Sequence, residues 1–295
     1  MTKMTTRIAL ALAFVAGAAG WAALAPGVLL NPLGPGWSWE ATYIGSYTSA
    51  DEAGRLPDED SPAVYNRTMR VLPNDAGAPF EALARNQYFL VDPNSRQKVY
   101  EYIVDYRVDR RTGEHLDPRF RGQQWVFPRF AQRTSYTLRA DYLEGIPVTF
   151  EREDVLNGLP VYLYTFRGRG EYTNSYRGTK DFPGIDLPAG QEIRCADDQF
   201  RYRVWVEPVT GGVVKVEESC RSGDYLYDAG AERRHAAVSR WDAAMAGDHV
   251  AAMVERFRWE KVRILAVTQG VPAVLALLAV LALLGPGLSF RRRAA

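Results

Sequence analysis

The chain has 295 residues, 47% of them hydrophobic, and a formal net charge of +1. This near-neutral charge argues against general nucleic-acid binding, because that function usually requires an excess of basic surface. The two cysteines are too few for a disulfide scaffold and lack the spacing of a zinc site. Outside two long apolar segments, enough residues remain for one sizeable hydrophobic core.

The first apolar segment, residues 8–30, contains no charged side chain. Two interpretations compete. A cleaved signal peptide has an apolar region of about 7–15 residues and a cleavage site of small residues, which Ala23-Leu24-Ala25 would supply. We favour an uncleaved transmembrane helix, because the apolar run is longer than that and Pro26 would directly follow the cut.

The second apolar segment, residues 264–284, is also uncharged and is followed by Arg291, Arg292 and Arg293. A bilayer core requires about 20 apolar residues in a helix, so both segments are predicted to span a membrane. Pro272 lacks an amide hydrogen and is expected to kink the second helix.

Small side chains suggest a packing face between the two helices. Ala9, Ala13 and Gly17 lie four residues apart, and such stripes let membrane helices approach closely. An alanine-rich segment also produces this spacing by composition alone. Gln269 in the second helix is a candidate to hydrogen-bond across to the first, although a polar residue near the interface needs no special role.

Flanking charge predicts the orientation. Lys3 and Arg7 precede the first segment, and no lysine or arginine follows it before Arg55, so the N-terminus is expected in the cytoplasm. We therefore predict a protein of the cytoplasmic (inner) membrane with both termini inside and the main domain outside. The regions are a cytoplasmic N-terminus (1–7), transmembrane helix 1 (8–30), an extracytoplasmic β-rich domain (31–263), transmembrane helix 2 (264–284) and a basic cytoplasmic tail (285–295).

Strict alternation marks the clearest strand, VYEYIVDYRV at residues 99–108. Tyr100, Tyr102, Val104 and Tyr106 face one way, and mostly charged side chains face the other, as in a half-buried antiparallel strand. This aromatic face is a candidate ligand groove for a lipid. The alternative, at least as well motivated, is that the same face packs an ordinary core.

Further strands are predicted at 135–140, 148–151 and 161–166, with a hairpin formed by 200–206 and 213–219. Pro208 and the Gly211-Gly212 pair provide the residues of its turn. Cys195 and Cys220 flank this hairpin at its open end, where antiparallel pairing would bring them close. In an oxidising compartment this position predicts a disulfide.

After Gly230 the apolar residues recur every three or four positions, which predicts a helical stalk over residues 229–263. Gly247 interrupts this spacing, and Asp248 is a candidate cap for a second helix that runs into the membrane without a break.

No nucleophile elbow, HExxH zinc motif, phosphate-binding glycine loop or CxxC pair occurs in the sequence. His115, His235 and His249 are scattered along the chain. We therefore predict that the protein is not an enzyme and has no catalytic residue, no metal site and no cofactor.

Several stretches in order resemble a two-span actinobacterial membrane family of largely unknown function, named porin PorA-like. They are VDRRTGEHL (108–116), RGQQWVFPRFAQRTSYTL (121–138), NGLPVYLYTF (157–166) and VWVEPVTGGVVKVEES (204–219). The resemblance covers essentially the whole chain and offers no catalytic residues to carry over. The family name implies an oligomeric pore or transport component. A transmembrane β-barrel, however, needs eight or more strands with an apolar lipid-facing band, and these strands are too charged.

The predicted fold is a mainly antiparallel β domain, with a curved or half-barrel-like sheet and a C-terminal helical stalk, flanked by two transmembrane helices. The predicted function is a membrane-anchored, non-enzymatic cell-envelope protein that binds lipid or another envelope component, and the alternative is the pore or transport component. Its expected partners are membrane lipids, and envelope proteins or a second copy of the chain remain open. No nucleic-acid partner is expected.

Overall fold

The computed structural model describes residues 3–29, 33, 36–51, 55–72, 81–117, 122–123, 126–138, 145–171, 193–228 and 233–284. The chain divides into two compact units. One unit combines Met1–Asn31 with Trp259–Ala295, and the other comprises Pro32–Arg258. The predicted basic tail, residues 285–295, lies outside the described residues.

The first unit is helical, and the helix Gly247–Leu265 belongs to the second unit up to Arg258. Helix α1 spans Lys3–Leu29, helix α2 spans Gly247–Leu265, a π-helical turn covers Ala266–Gly270, and helix α3 spans Val271–Leu284. Two helical stretches, Met4–Leu24 and Gly247–Leu284, are long and apolar enough to cross a membrane. The structure therefore agrees with the two apolar segments that the sequence predicts as spans.

The predicted packing residues of these helices are Ala9, Ala13, Gly17 and Gln269. Ala9, Ala13 and Gly17 are exposed, and no atom lies within 4 Å of the position that a Gly17 Cβ would occupy. Gln269 is exposed as well. These four residues therefore lie outside the described contact between α1 and α3, and their role in helix packing stays a prediction.

The observed packing face of α1 includes Ala11, which is 5% exposed, and Trp21, whose indole N–H donates to the carbonyl of Val267 at 2.8 Å. On α3 the buried residue is Ala279. The alanines allow close backbone approach, and the indole supplies a hydrogen bond across the pair.

The π-helical turn ends two residues before Pro272. Proline cannot donate the hydrogen bond that an α-helix requires at its position, so the backbone adjusts in the preceding turn. The Thr268 hydroxyl also donates to the Ile264 carbonyl at 2.8 Å, a bond that offers this region an additional donor. A π turn thus closely precedes Pro272, and the kink expected at this residue stays a prediction.

In the described part of the second unit, ten antiparallel strands form one sheet. They are β1 Ser38–Ser49, β2 Pro62–Val71, β3 Glu81–Val91, β4 Lys98–Asp109, β5 Ser135–Leu138, β6 Ile146–Leu156, β7 Leu159–Glu171, β8 Ile193–Glu207, β9 Gly212–Asp228 and β10 Arg233–Met245. Their order in the sheet is β4-β3-β2-β1-β10-β9-β8-β7-β6-β5, so β4 and β5 are its two edges and the sheet is not closed. This confirms the prediction of a mostly antiparallel β domain.

The chain after Gly230 differs from the prediction. Residues Arg233–Met245 form β10, which pairs with both β1 and β9, and the helix begins only at Gly247. The predicted helical stalk over 229–263 is therefore wrong in its first part. The interruption predicted at Gly247 is instead the boundary between strand and helix.

One face of the sheet carries most of the core. Alternate residues of the hairpin are fully buried, for example Phe200, Val204 and Val216, as the sequence pattern predicts. Helix α2 contributes Phe257 to the same core, and its ring occupies the space next to Gly212, where a Cβ would lie only 2.1 Å away. The glycine at this position is thus required by a close approach.

Aromatic residues from separate family-like motifs meet in this core. Phe127 stacks on Tyr164 with ring centroids 5.2 Å apart and meets Tyr136 edge-on at 5.3 Å. Burial raises the pKa of Tyr164, and its neutral hydroxyl donates to the Gln132 carbonyl at 2.7 Å. The motif residues therefore hold the fold together at this point.

The hairpin register requires a correction to the predicted disulfide. The backbone of Cys195 lies opposite Leu226, whereas Cys220 lies six residues earlier on β9. At about 3.3 Å per residue the two positions are about 20 Å apart along the strand, far beyond the Cα separation of about 7 Å that a disulfide tolerates. The structure does not support this bond, because both strands extend well past the ends that the sequence predicts.

Candidate functional site

Val104 and Tyr106 of β4 lie on the core side of the sheet. In the pairing with β3, Tyr106 lies opposite Ala84 and Val104 lies opposite Asn86. Both β3 residues are fully buried. Directly opposed residues of antiparallel strands point to the same face. At the other even positions of β4, the backbones of Tyr100 and Tyr102 lie opposite Leu90 and Tyr88.

The described side chains of the predicted groove are half-buried. Val104 is partly exposed, and Tyr106 packs against the core and meets the His115 ring edge-on, with centroids 4.7 Å apart. The side chains of Tyr100 and Tyr102 lie outside the described part of the structure. Whether this face is a groove or core therefore stays a prediction.

The opposite face of β4 is covered by paired charges. Arg85 donates two hydrogen bonds to Asp105, at 2.7 and 2.8 Å, and this lowers the pKa of the Asp105 carboxyl. Lys98 and Gln87 donate hydrogen bonds to Glu101 and lower the pKa of its carboxyl. These contacts keep the two carboxyl groups ionised, and Ile103 is an exposed apolar residue on the same face.

A buried ion pair lies on the same inner face as the tyrosines. The Arg67 guanidinium donates to a Glu218 carboxylate oxygen at 3.0 Å, and the two side chains are 2% and 4% exposed. The Tyr43 ring lies 5.2 Å from the Arg67 guanidinium carbon. In the sheet register, Arg67 lies opposite Tyr88, and Tyr88 lies opposite Tyr102. Arg67, Tyr88 and Tyr102 thus occupy directly opposed backbone positions on β2, β3 and β4.

The sequence analysis missed this pair, although a signal for it exists. In β2, Arg67 occupies the same alternating series as Tyr65 and Met69, both of which are buried. In β9, Glu218 follows Val216 in the buried series. A charged residue in a buried series needs a partner of opposite charge. What the sequence does not show is which two strands would bring such partners together.

The described side chains around the buried ion pair are mostly aromatic and aliphatic. The polar groups of the pair hold each other, and aromatic and aliphatic side chains fill the rest of the face. Within the described ranges, no group of three or more His, Cys, Asp or Glu side chains is placed to hold a metal ion. An apolar surface with few polar groups is typical of a site for a lipid or a similar ligand.

Comparison with known families adds the decisive observation. The family described as Porin PorA matches residues 6–287, which is nearly the whole chain. The chain belongs to this family. Membership agrees with the resemblance drawn from the strand motifs and, together with the two candidate spans, indicates a membrane protein of the envelope or pore-related class.

Other comparisons contribute less. No curated protein matches the sequence. Among solved structures, a chain described as an AttH protein from Nitrosomonas europaea is 9% identical, with 70% of this chain and 92% of that chain covered and a TM-score of 0.17. A likeness this weak supports no inference about fold or function for this member of the porin PorA family.

Proposed function

We propose that this member of the porin PorA family is a membrane-anchored envelope protein whose β unit binds an acyl chain of a lipid along the inner face of β4. Tyr100, Tyr102, Val104 and Tyr106 would form the contact surface, and no chemical step would be involved. One observation carries the proposal. Val104 and Tyr106 share the inner face of a strand at the edge of the described sheet, and the backbones of Tyr100 and Tyr102 continue the same alternating series.

A curved sheet would turn this face into a groove. In a flat sheet of ten strands spaced about 4.8 Å apart, the two edge strands would lie about 43 Å from each other. Three single bridges nevertheless link the two edges through the chain between them. They are Val108 with His115, Glu114 with Gln123, and Gln123 with Leu138. Three such steps amount to about 14 Å, which supports a half-barrel-like curvature.

The buried ion pair supports the same curvature. Strands β2 and β9 are separated in the sheet by β1 and β10, a distance of about 14 Å. Arg67 and Glu218, one on each of these strands, nevertheless meet at 3.0 Å. Side chains on one face converge in this way when that face is concave.

We place the protein in the cytoplasmic membrane with both termini inside. Lys3 and Arg7 before α1 support this orientation, since positive charges near the first span usually stay in the cytoplasm. The β unit would then lie outside, where it could meet envelope lipids.

Cysteine labelling tests the orientation. Thr5→Cys and Arg293→Cys are expected to resist an impermeant thiol reagent in intact cells, and Glu59→Cys, at an exposed position, is expected to react. The unsubstituted protein provides the background from Cys195 and Cys220. Labelling at residues 5 and 293 without labelling at 59 would reverse the orientation.

A charge placed on the aromatic face tests lipid binding. In the full chain in non-ionic detergent, Tyr102→Asp is expected to abolish co-purified lipid, measured by mass spectrometry, with only a small change in unfolding temperature. Ile103→Asp is the matched control, because Ile103 is 55% exposed on the opposite face. This control is expected to keep both lipid and stability.

Core packing predicts the opposite result. If Tyr102 is part of the core, Tyr102→Asp buries a carboxylate and destabilises the protein by several kcal/mol, on the order of the cost of an unpaired buried charge. That loss of stability, together with no detectable lipid in the unsubstituted protein, would end the proposal.

The family description favours a second candidate, an oligomeric pore. It predicts stable oligomers in mild detergent and ion conductance in planar bilayers, neither of which a lipid-binding module requires. Several chains would have to combine their helices, because each chain contributes two candidate spans. Conductance that survives Tyr102→Asp would favour the pore over the lipid site.

A further inference from the structure

A groove of about 380 Å³ lies across β8, β9, β10 and β1, with several of its lining side chains on the face opposite to the aromatic residues. Its basic side chains alternate along the strands with buried core residues, for example Arg201 and Arg203 with Tyr202. We call it the outer arginine groove. Its charged and polar lining used below consists of Arg201, Arg203, Arg221, Glu217, Ser219 and Asp242.

Both carboxylates that face outward in this groove already have cationic partners. Glu217 accepts a hydrogen bond from Arg203 at 2.8 Å and pairs with Lys215 at 2.6 Å. Asp242 pairs with Arg221 at 2.6 Å. The third carboxylate of the lining, Glu218, is paired with the buried Arg67, so all three carboxylates have cationic partners.

Arg201 adds further positive charge. It lies directly opposite Arg167 in the pairing of β7 with β8, and both side chains are exposed. Among the residues that the structure describes, no carboxylate forms an ion pair with either guanidinium. Like charges in directly opposed positions destabilise a sheet. A bound anion would therefore reduce the repulsion between Arg167 and Arg201.

A second pair of opposed arginines shows how the sheet compensates elsewhere. Arg70 on β2 lies opposite Arg85 on β3. There, Arg85 donates two hydrogen bonds to Asp105, so its charge is neutralised within the sheet. Within the described ranges, neither Arg167 nor Arg201 forms a corresponding ion pair with a carboxylate. This contrast points to a ligand rather than to a general tolerance for paired arginines.

We propose that the outer arginine groove binds a phosphoryl group, carried by free phosphate or by a phosphate-bearing lipid headgroup. A tetrahedral oxyanion can accept hydrogen bonds from several guanidinium groups at once, and these charge-assisted bonds are stronger than neutral ones. The Ser219 hydroxyl offers a further donor. The site is separate from the aromatic face of β4 and does not depend on lipid binding there.

Titration of the full chain in dodecyl maltoside tests the proposal. Isothermal calorimetry in phosphate-free, low-salt buffer uses inorganic phosphate in one arm and monomeric dihexanoyl phosphatidic acid in the other. Arg201→Gln is expected to weaken binding about tenfold or more, as expected for losing a charge-assisted bond. It should leave the unfolding temperature unchanged or higher, because it relieves repulsion from Arg167. Arg70→Gln is the matched control and should bind like the unsubstituted chain.

Each outcome decides the proposal. Saturable binding in either arm that Arg201→Gln weakens and Arg70→Gln does not supports it, and the two arms show whether phosphate alone suffices or the lipid is required. No binding in either arm overturns it. Equal losses in both variants also overturn it, because they would reflect the general charge of the protein.

Discussion

Replacing Arg67 with methionine is expected to destabilise the β unit by about 3–5 kcal/mol, because the Glu218 carboxylate would remain buried without its partner. The pair meets at 3.0 Å, and both side chains are almost completely shielded from water. Chemical denaturation of the full chain in non-ionic detergent, followed by tryptophan fluorescence, measures the loss. Replacing Glu218 alone with methionine should have a similar effect.

The double variant shows whether the loss of stability comes from the unpaired charge or from replacing the side chains themselves. With both Arg67 and Glu218 replaced by methionine, neither charge of this pair is left buried without the other, and most of the stability should return. The control is the pair Arg85–Asp105, whose side chains are 39% and 36% exposed. Arg85→Met should cost less than about 1 kcal/mol, since exposed pairs contribute little. An Arg67→Met loss no larger than this would show that the buried pair is not needed for folding.

Replacing Gly211 with alanine is expected to destabilise the protein by about 3 kcal/mol, the sum of two effects. Gly211 has a φ of 72°, where a side chain strains the backbone. A Cβ there would lie 2.0 Å from the Phe127 carbonyl oxygen and 2.9 Å from that of Pro128. Backbone atoms cannot move aside as a flexible side chain can. Thermal unfolding should shift down by about 10 °C for a unit of this size.

Two other glycines separate these effects. Gly36 has a φ of 74° and no atom within 4 Å of its would-be Cβ, so Gly36→Ala should show the backbone strain alone. Gly247 has no atom within 4 Å and no left-handed conformation, so Gly247→Ala should be close to neutral. If Gly211→Ala loses no more stability than Gly36→Ala, the close contact with Phe127 does not matter.

The local sequence pattern predicted those elements whose residue preferences match the structure that they form. Residues 99–108 alternate strictly, and they form the edge strand β4. Asn157 and Gly158 have positive φ angles of 46° and 79°, as a tight hairpin turn between β6 and β7 requires. Strands β1, β2 and β3 were not predicted, although β2 alternates as clearly as β4 in the structure.

The strand β10 shows how tertiary pairing overrides a local signal. Its alanines favour a helix, and Trp241 and Met245 are four residues apart. The chain is instead held between β1 and β9, and Trp241, Ala243 and Met245 alternate into the core. Register shifts earlier in β10 interrupt the strict alternation by which a strand is recognised.

The sequence by itself determined the two apolar segments, the antiparallel β content and the strand β4. These properties depend on the length of the apolar segments and on the spacing of apolar residues along the chain. Both can be read from the sequence without knowing the tertiary contacts. Only the tertiary structure decided that Arg67 meets Glu218, that Arg167 lies opposite Arg201, and that Cys195 lies far from Cys220. Each of these depends on strand order and register, and those are set by packing between segments that are distant in the chain.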